Sequence, residues 1–376
     1  MASELKQLRI ALVGIGGFGE HYLTQLLHLD SSSGAAFVAG IDAYPERCSK
    51  LTEIEAAGIP LYASLEAFYA QGHADLVIIA APIHLHSALC CQALNMGSHV
   101  LLEKPLCARV EEAQSMLAAQ KASGLLVGIG YQWSFSEPIL ELKKDILSGH
   151  LGKPLLMKSL ILWPRPQSYF TRNSWAGRIK TIEGAWVLDS PLNNAMAHFL
   201  HNMFFLLGAS MDSSAGVEDV YAELYRANSI ENYDTAALKV ISSCGTELRM
   251  YAAHPIHDTL DPQLSFKFEG AEVLMGKDQI LKAYFPDGRI KIYGNPEAKP
   301  FEKIYRMLEA IRANTAPPCG ILAALAHTEC INRIQDFPVL KFPKERIRRE
   351  KLGDDHLVWV TDLAKDFEKR FVSETF

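Results

Sequence analysis

Four groups of residues in this chain have the types and spacing to do chemistry. The first is Gly14-Ile-Gly-Gly-Phe-Gly19. Glycines at these offsets allow a tight turn at Gly14, backbone approach to a pyrophosphate at Gly16, and close helix packing at Gly19, with Gly17 and Phe18 between. Asp42 follows 23 residues after Gly19, where a carboxylate accepts from both hydroxyls of an adenosine ribose and repels a 2′-phosphate. That favours NAD over NADP, a preference that nearby Arg47 softens. A glycine turn holding no ligand is the plain alternative. The second group is Glu103-Lys-Pro105, and the third is the run Asp189–Asn202, DSPLNNAMAHFLHN. The fourth is an aromatic and basic stretch of Trp163, Tyr169, Arg172, Trp175 and Arg178. It either stacks on and hydrogen-bonds a sugar or forms a packed loop.

These groups need elements to hold them. Leu8–Val13 reads as a strand ending in the glycine loop, and Gly19–Leu29 has helical spacing. Phe37–Ile41 is a second strand ending in Asp42, and Pro45–Ala57 reads as a helix. Asp75–Ala80 is a continuous apolar run of the kind buried on both faces of a parallel sheet. Helix Leu85–Met96, strand Val100–Leu102, helix Val110–Ser123 and strand Leu125–Gly130 complete the alternation. Lys104 then sits at the carboxyl end of a parallel strand, where such sheets present ligand-binding groups. Its ammonium can hydrogen-bond a substrate hydroxyl there, or it is a surface turn lysine.

After a helix at Pro138–Leu147 and a turn at Ser148–Pro154 the pattern changes. Phe266–Glu269 and Arg289–Ile292 alternate apolar and charged residues, Val217–Ala227 and Thr246–Ala253 do so less cleanly, and Pro286-Asp-Gly288 is a turn signal. The expected fold class is α/β: a doubly wound parallel sheet over residues 1–129, then an α/β domain with an open, mainly antiparallel sheet over 130–376.

Composition sets the outer limits. Of 376 residues, 49% are hydrophobic and 21% charged, with a net charge of -6. No basic excess is available to neutralise phosphates, so nucleic acid is not an expected partner. The run Lys341–Lys351 reads as a solvated segment. Seven scattered cysteines form no CxxC pair, which points to a reducing compartment. The start lacks the h-region of a signal peptide, and no apolar run is long enough to cross a bilayer. The cytoplasm is expected, with no membrane partner.

The glycine loop, Ala81-Pro-Ile-His-Leu-His86 and Glu103-Lys-Pro105, in this order, resemble the glucose–fructose oxidoreductase/inositol dehydrogenase (Gfo/Idh/MocA) family. The resemblance covers nearly the whole chain. It implies NAD as cofactor, with Ala81, Pro82, His86, Glu103, Lys104 and Gln132 beside it. It also implies a carbohydrate-like substrate and a homodimer or homotetramer through the second sheet. Lys104 matches the family's catalytic lysine. Ile83 stands where the family commonly has asparagine, removing one polar contact. Gly130-Tyr-Gln-Trp133 matches the entry beside the nicotinamide, which places Tyr131 at the substrate. Ser134 and Phe135 replace a common arginine there, so an anionic group is not expected at that point.

The family's catalytic helix begins Asp-x-Gly-x-His-x-x-Asp and ends in Leu-Gly. Counting forward from Gly184 puts the aspartate at Asp189. Counting back from Leu207-Gly208 puts the histidine at His198, with Asn194 and His201 at the acid positions. About five inserted residues reconcile the two. Asn194, His198, and His201 or Asn202 then share one helical face, with Phe199, Met203, Leu206 and Leu207 largely elsewhere. The resemblance makes His198 the acid–base, with Asn194 touching substrate; a satisfied core histidine is the alternative. Asp189 either caps a turn or helix start or takes part in chemistry. A metal would need His198, His201 and Asp189 to converge, and the His-x-x-His spacing is unfavourable, so none is expected.

The reading is an NAD-dependent oxidoreductase moving hydride at a carbinol carbon, with Lys104 and His198 assisting proton transfer. The rivals are a glycoside hydrolase working by transient NAD oxidation and elimination, and a nucleotide-binding regulatory protein without turnover.

Overall fold

The structure, a computed structural model, describes residues 7–29, 33–373 and 376. The chain opens with β1 (Leu8–Val13), α1 (Gly19–Leu26), β2 (Ala35–Ile41), α2 (Leu51–Ala56), β3 (Leu61–Tyr62) and α3 (Leu65–Tyr69). Next come β4 (Leu76–Ile79), α4 (His86–Asn95), β5 (His99–Leu102), α5 (Val110–Ser123) and β6 (Val127–Ile129). There follow α6 (Glu137–Leu147), β7 (Pro154–Leu162), α7 (Gln167–Thr171) and α8 (Ala197–Leu206). A run of seven strands succeeds them: β8 (Val217–Arg226), β9 (Thr235–Ser242), β10 (Glu247–Ala253), β11 (Leu260–Phe268), β12 (Glu272–Met275), β13 (Leu281–Tyr284) and β14 (Ile290–Gly294). The chain closes with α9 (Glu302–Ala313), α10 (Ile321–Ile334), β15 (Val339–Lys341), β16 (Ile347–Leu352), β17 (Asp355–Val360) and α11 (Leu363–Val372).

One compact unit comprises the described residues up to Phe135 together with Lys299–Ile321. Its six strands are all parallel, in the order β3-β2-β1-β4-β5-β6. This is a doubly wound Rossmann-type sheet whose order reverses between β1 and β4, the crevice that binds ligands in such sheets. β4 is buried along its length, as its uninterrupted LVII run requires. Ile10, Leu12, Tyr22, Ile78 and Leu101 form one core with Ile304, Met307 and Leu308 of α9. Whereas the sequence suggests a division at residues 129 and 130, α9 returns to this unit from beyond residue 298.

The other unit comprises Ser136–Ala298 and Leu322–Phe376. Its nine-stranded sheet runs β14-β13-β12-β11-β7-β10-β9-β8-β15. The ladders are antiparallel except β7 with β10 and β8 with β15, so the sheet is mainly antiparallel, as expected. Ser159 of β7 meets Met203 of α8 on one face, and β14 meets α6 there through Lys291 and Tyr293 on Asp145. On the other face Leu363, Phe367 and Phe371 of α11 cover Leu160, Leu162, Ala237 and Tyr251.

Two local expectations change, and a third gains detail. Pro45–Ala57 is not one helix but a single turn at Pro45–Arg47 followed by α2. Cys48 and Ser49 break it, because Cys48 Sγ donates to Ile15 O and Ser49 is tied to the Glu20 carboxylate. Lys341–Lys351 is largely exposed, as expected, and supplies most of β16 in a two-stranded ribbon. In the DSPLNNAMAHFLHN run, α8 begins only at Ala197, and residues 191–196 form turns.

Candidate active site

In the first unit the candidate residues sit at the carboxyl ends of the parallel strands. Gly14 leaves β1 with φ +82°, and a Cβ there would lie 2.6 Å from Ala80 O. A Cβ on Gly19 would lie 1.8 Å from Gly14 O, so α1 packs on the strand as closely as backbone allows. Gly16 is different. The nearest atom to a Cβ there is Arg47 O at 3.9 Å, and Gly17, at φ +57°, has nothing within 4 Å. The glycines at the ends of the loop are needed for the fold, while the middle pair leave open space at the start of α1. A phosphate can be taken there. Phe18 is exposed beside them.

Asp42 stands at the end of β2. Its Oδ2 accepts from Ile15 N at 3.0 Å and its Oδ1 from Tyr44 N at 2.9 Å. The carboxylate is therefore held rigidly against the loop, with further lone pairs left for ribose hydroxyls. Arg47 stacks 4.3 Å over the Tyr44 ring. The donor set and the open cradle fit the adenosine diphosphate half of NAD.

Lys104 follows β5, is half-buried, and is joined to Pro105 by a cis peptide bond. Glu103 before it is buried. Its Oε1 accepts from Tyr22 Oη at 2.6 Å and from Lys303 Nζ of α9, and its Oε2 accepts from Lys104 N at 3.1 Å. Burial pushes this carboxyl up, but Lys303, Tyr22 and Lys104 together outweigh it and hold it below the usual carboxylate range. Glu103, expected beside the cofactor, is thus a strut that fixes the Lys104 turn. His86 has a similar place. It is buried, with Nδ1 2.9 Å from Pro105 O and Nε2 2.9 Å from Ala81 O, so its ring bridges the two turns. Burial lowers its pKa despite these carbonyls. Ala81 and Pro82 remain partly exposed, and Ile83 is buried. Gln132 is half-buried, but Tyr131 is fully enclosed. Its ring belongs to the core of this unit.

In the second unit the DSPLNNAMAHFLHN run brings its two candidate acids together. Asp189 Oδ1 accepts from Asn194 Nδ2 at 2.7 Å, and Oδ2 accepts from Gly177 N at 2.6 Å. Asn232 Nδ2 donates to Asp189 O at 3.1 Å, and Ser190 Oγ donates to Tyr233 Oη at 2.9 Å. The choice between Asp189 and Asn194 dissolves into a pair, in which the aspartate fixes the amide and turns Asn194 Oδ1 away from it. His198 is half-buried in the first turn of α8. His201 and Asn202 do not join it at a surface: both are buried. Burial, then His327 and Lys143, push the His201 pKa well below its ordinary value. A neutral core histidine results. Among the described residues, no three His, Cys, Asp or Glu side chains group to hold a metal ion.

The aromatic and basic stretch gathers near the same turn. The Trp163 ring meets Phe199, the neighbour of His198, edge-on at 5.8 Å. Tyr169 packs 5.6 Å from His254, which also reaches Trp163 O at 2.9 Å. Arg172 lies over both Tyr169 and Trp175. Tyr169, Gly177, Asp189, Ser190, Tyr233 and His254 line one crevice. Sequence reasoning missed Arg165, His254, Tyr233 and Lys303. Arg165 lay inside the basic stretch and was open to notice. Lys303 acts 200 residues from its partner and had no local signal.

Residues 8–131 match a family model, GFO_IDH_MocA, described as an oxidoreductase family with an NAD-binding Rossmann fold. Residues 8–131 are therefore similar to the NAD-binding domain of the Gfo/Idh/MocA oxidoreductases, as the motifs indicate. It is similar to inositol 2-dehydrogenase 4 of Saccharopolyspora erythraea, 34% identical over 161 residues, 40% of this chain and 44% of that protein. It is 26% identical over 215 residues to scyllo-inositol 2-dehydrogenase (NAD(+)) of Bacillus subtilis, 56% of this chain and 57% of that one. The chain spans about half the length of the curated relatives it matches. Among solved structures, the WlbA dehydrogenase of Bordetella pertussis, in complex with NADH and UDP-GlcNAcA, superposes with a TM-score of 0.73 at 22% identity. That likeness covers 89% of this chain and 99% of the other and concerns the fold.

Proposed function

We propose that this chain, with its Gfo/Idh/MocA nucleotide domain, is an NAD-dependent dehydrogenase of a sugar, polyol or related hydroxy compound. The observation that carries this reading is the carboxyl edge of the six-stranded sheet, where the open Gly16–Gly17 cradle, Asp42 and Lys104 all lie. The relatives' names, inositol dehydrogenases among them, point to the same substrate class.

Bound NAD supplies the hydride acceptor. Gly16 and Gly17 make room for its phosphates, and Asp42 receives the adenosine ribose hydroxyls. Lys104, held by the Glu103 strut, donates a hydrogen bond to the carbinol oxygen and stabilises negative charge there. His198 takes the hydroxyl proton as general base and returns it in the reverse reaction. Asp189 and Asn194 orient the start of the helix that carries it. Seven free cysteines suit a cytoplasmic setting. Assembly as a homodimer or homotetramer through the second sheet belongs to the same reading.

The test is substrate-dependent NADH absorbance over a panel of sugars and polyols. Lys104→Ala and His198→Ala should each lower kcat/KM by about 10²-fold or more. Full turnover in both variants would overturn the assignment.

A further inference from the structure

Two guanidiniums share one ring in the second unit. Arg165 lies 4.9 Å and Arg172 3.7 Å from the centroid of Tyr169. Arg165 also lies 5.8 Å from the centroid of Trp163, and Arg172 5.4 Å from that of Trp175. Two like charges collected on one side chain repel each other, and a bound anion relieves that repulsion.

Neither guanidinium pairs with a carboxylate among the described residues. Arg165 donates from Nη1 to Pro164 O at 3.5 Å, and Arg172 from Nη1 to Tyr169 O. Arg165 Nε is buried with no hydrogen-bond partner. The carboxylate beside the same crevice, Asp189, is already bound by Gly177 N and Asn194 Nδ2. His254 adds no charge, because burial drives its pKa down to about 3 and the two arginines push the same way. The group therefore keeps an excess of positive charge. It also lies next to the catalytic helix, since Trp163 packs on Phe199.

We infer that Arg165 and Arg172 form an anion subsite, and that the substrate is a sugar bearing a phosphate, diphosphate or carboxylate, not a neutral polyol. This rests on the dehydrogenase reading and narrows its substrate class. The planar guanidiniums suit bidentate contacts to such oxygens, and Trp163 and Trp175 flank them with apolar faces for a ring. The absence of an arginine at Ser134 and Phe135 removes an anion contact in one place, and this pair provides one in another.

The test compares UDP-glucose, glucose 1-phosphate, glucuronate and myo-inositol as ligands of the NAD-loaded protein, by calorimetry and by NADH formation. Binding of one or more of the three anions, weakened by salt, is expected, with myo-inositol much poorer. The anion that binds best tells a diphosphate from a monophosphate or a carboxylate. Arg165→Gln and Arg172→Gln should each raise KM or Kd for that anion on the order of 10- to 100-fold, with kcat changed far less. Arg172→Lys should recover part of the loss, and NADH affinity should not move. Binding of myo-inositol as tight as the anions would overturn the inference and leave the dehydrogenase standing. So would equal loss of neutral and anionic ligands in the variants. Salt-sensitive anion binding without any NADH formation would instead keep the subsite and sink the dehydrogenase.

Discussion

At the scale of single residues, the glycine loop separates two demands that a motif merges. Gly14 and Gly19 have backbone atoms within 3 Å of where a Cβ would sit, while Gly16 faces open space. Gly16→Val should therefore leave the unfolding midpoint nearly unchanged and weaken NADH binding at least tenfold, as read by nucleotide fluorescence. A large loss of stability would mean that Gly16 serves the fold. Asp42 supports a second expectation: Asp42→Ala removes the ribose acceptor and the charge that opposes a 2′-phosphate. The ratio of NAD to NADP affinity should fall by roughly two orders of magnitude, through an interaction of about 1.5–3 kcal/mol. An unchanged ratio would assign cofactor choice elsewhere. These residues were legible because each acts within one strand–turn–helix unit. Asp189 and Asn194 were half legible: both were suspect, but their hydrogen bond depends on a turn that helical spacing cannot describe. Helical periodicity from Asn194 assumed a helix that starts three residues later.

Between elements, the buried Glu103–Lys303 pair ties the turn after β5 to α9. Both side chains are enclosed, so removing one partner leaves an uncompensated buried charge. Lys303→Met should cost about 3–5 kcal/mol at neutral pH. Glu103→Gln/Lys303→Met should recover much of that, because no charge is then stranded. The pH dependence weakens as well. In the natural protein the Glu103 pKa is lowered, so its contribution is present above the unfolded carboxylate pKa and lost as pH falls through the folded one. In Lys303→Met the two largest lowering influences are gone while burial stays, so the folded pKa rises and less stability is lost as pH falls through it. Urea unfolding of the three proteins from pH 4 to 8 checks this; identical slopes would show that the pair is not coupled. The two lysine effects are separable, because Lys104→Ala should depress turnover with little change in stability. None of this was visible in the sequence. Glu103 looked like a cofactor contact because its motif says so, and only the return of α9 supplies the cation that makes it a strut. The strand–helix alternation was easier, since five of the six parallel strands are short apolar runs with their own turn signals, while the two-residue β3 is too short to show one. β7 and β9 escaped notice because strands buried from both sides show no alternation, so period 2 fails for the centre of the second sheet.

At the scale of the molecule, the nine-stranded sheet has one face closed by α6 and α8, and an opposite face only half covered. Lys158, Ser265, Leu274, Lys282 and Ile292 lie opposite one another across β7, β11, β12, β13 and β14, so they share that second face. α11 covers its β7 end, where Lys158 Nζ reaches Phe371 O. The β14 end is left with Ile290 57% and Ile292 64% exposed, beside exposed Tyr284. Apolar side chains lined up on a sheet face lose free energy to water, about 25 cal/mol per Å² that a partner would cover. The proposed self-association should therefore use this uncovered half, with α11 limiting how far a second copy can slide across the sheet. Light scattering on the eluting protein should give a dimer or tetramer, and Ile290→Glu/Ile292→Glu should shift it to the monomer. The exposed positions make that variant safe for folding, which far-UV circular dichroism can verify. A monomer in the natural sequence, or an oligomer indifferent to the two charges, would place the contact elsewhere and leave α11 as a cap on a sheet that works alone. NADH binding by the double variant should be unchanged, because the nucleotide loop belongs to the other compact unit.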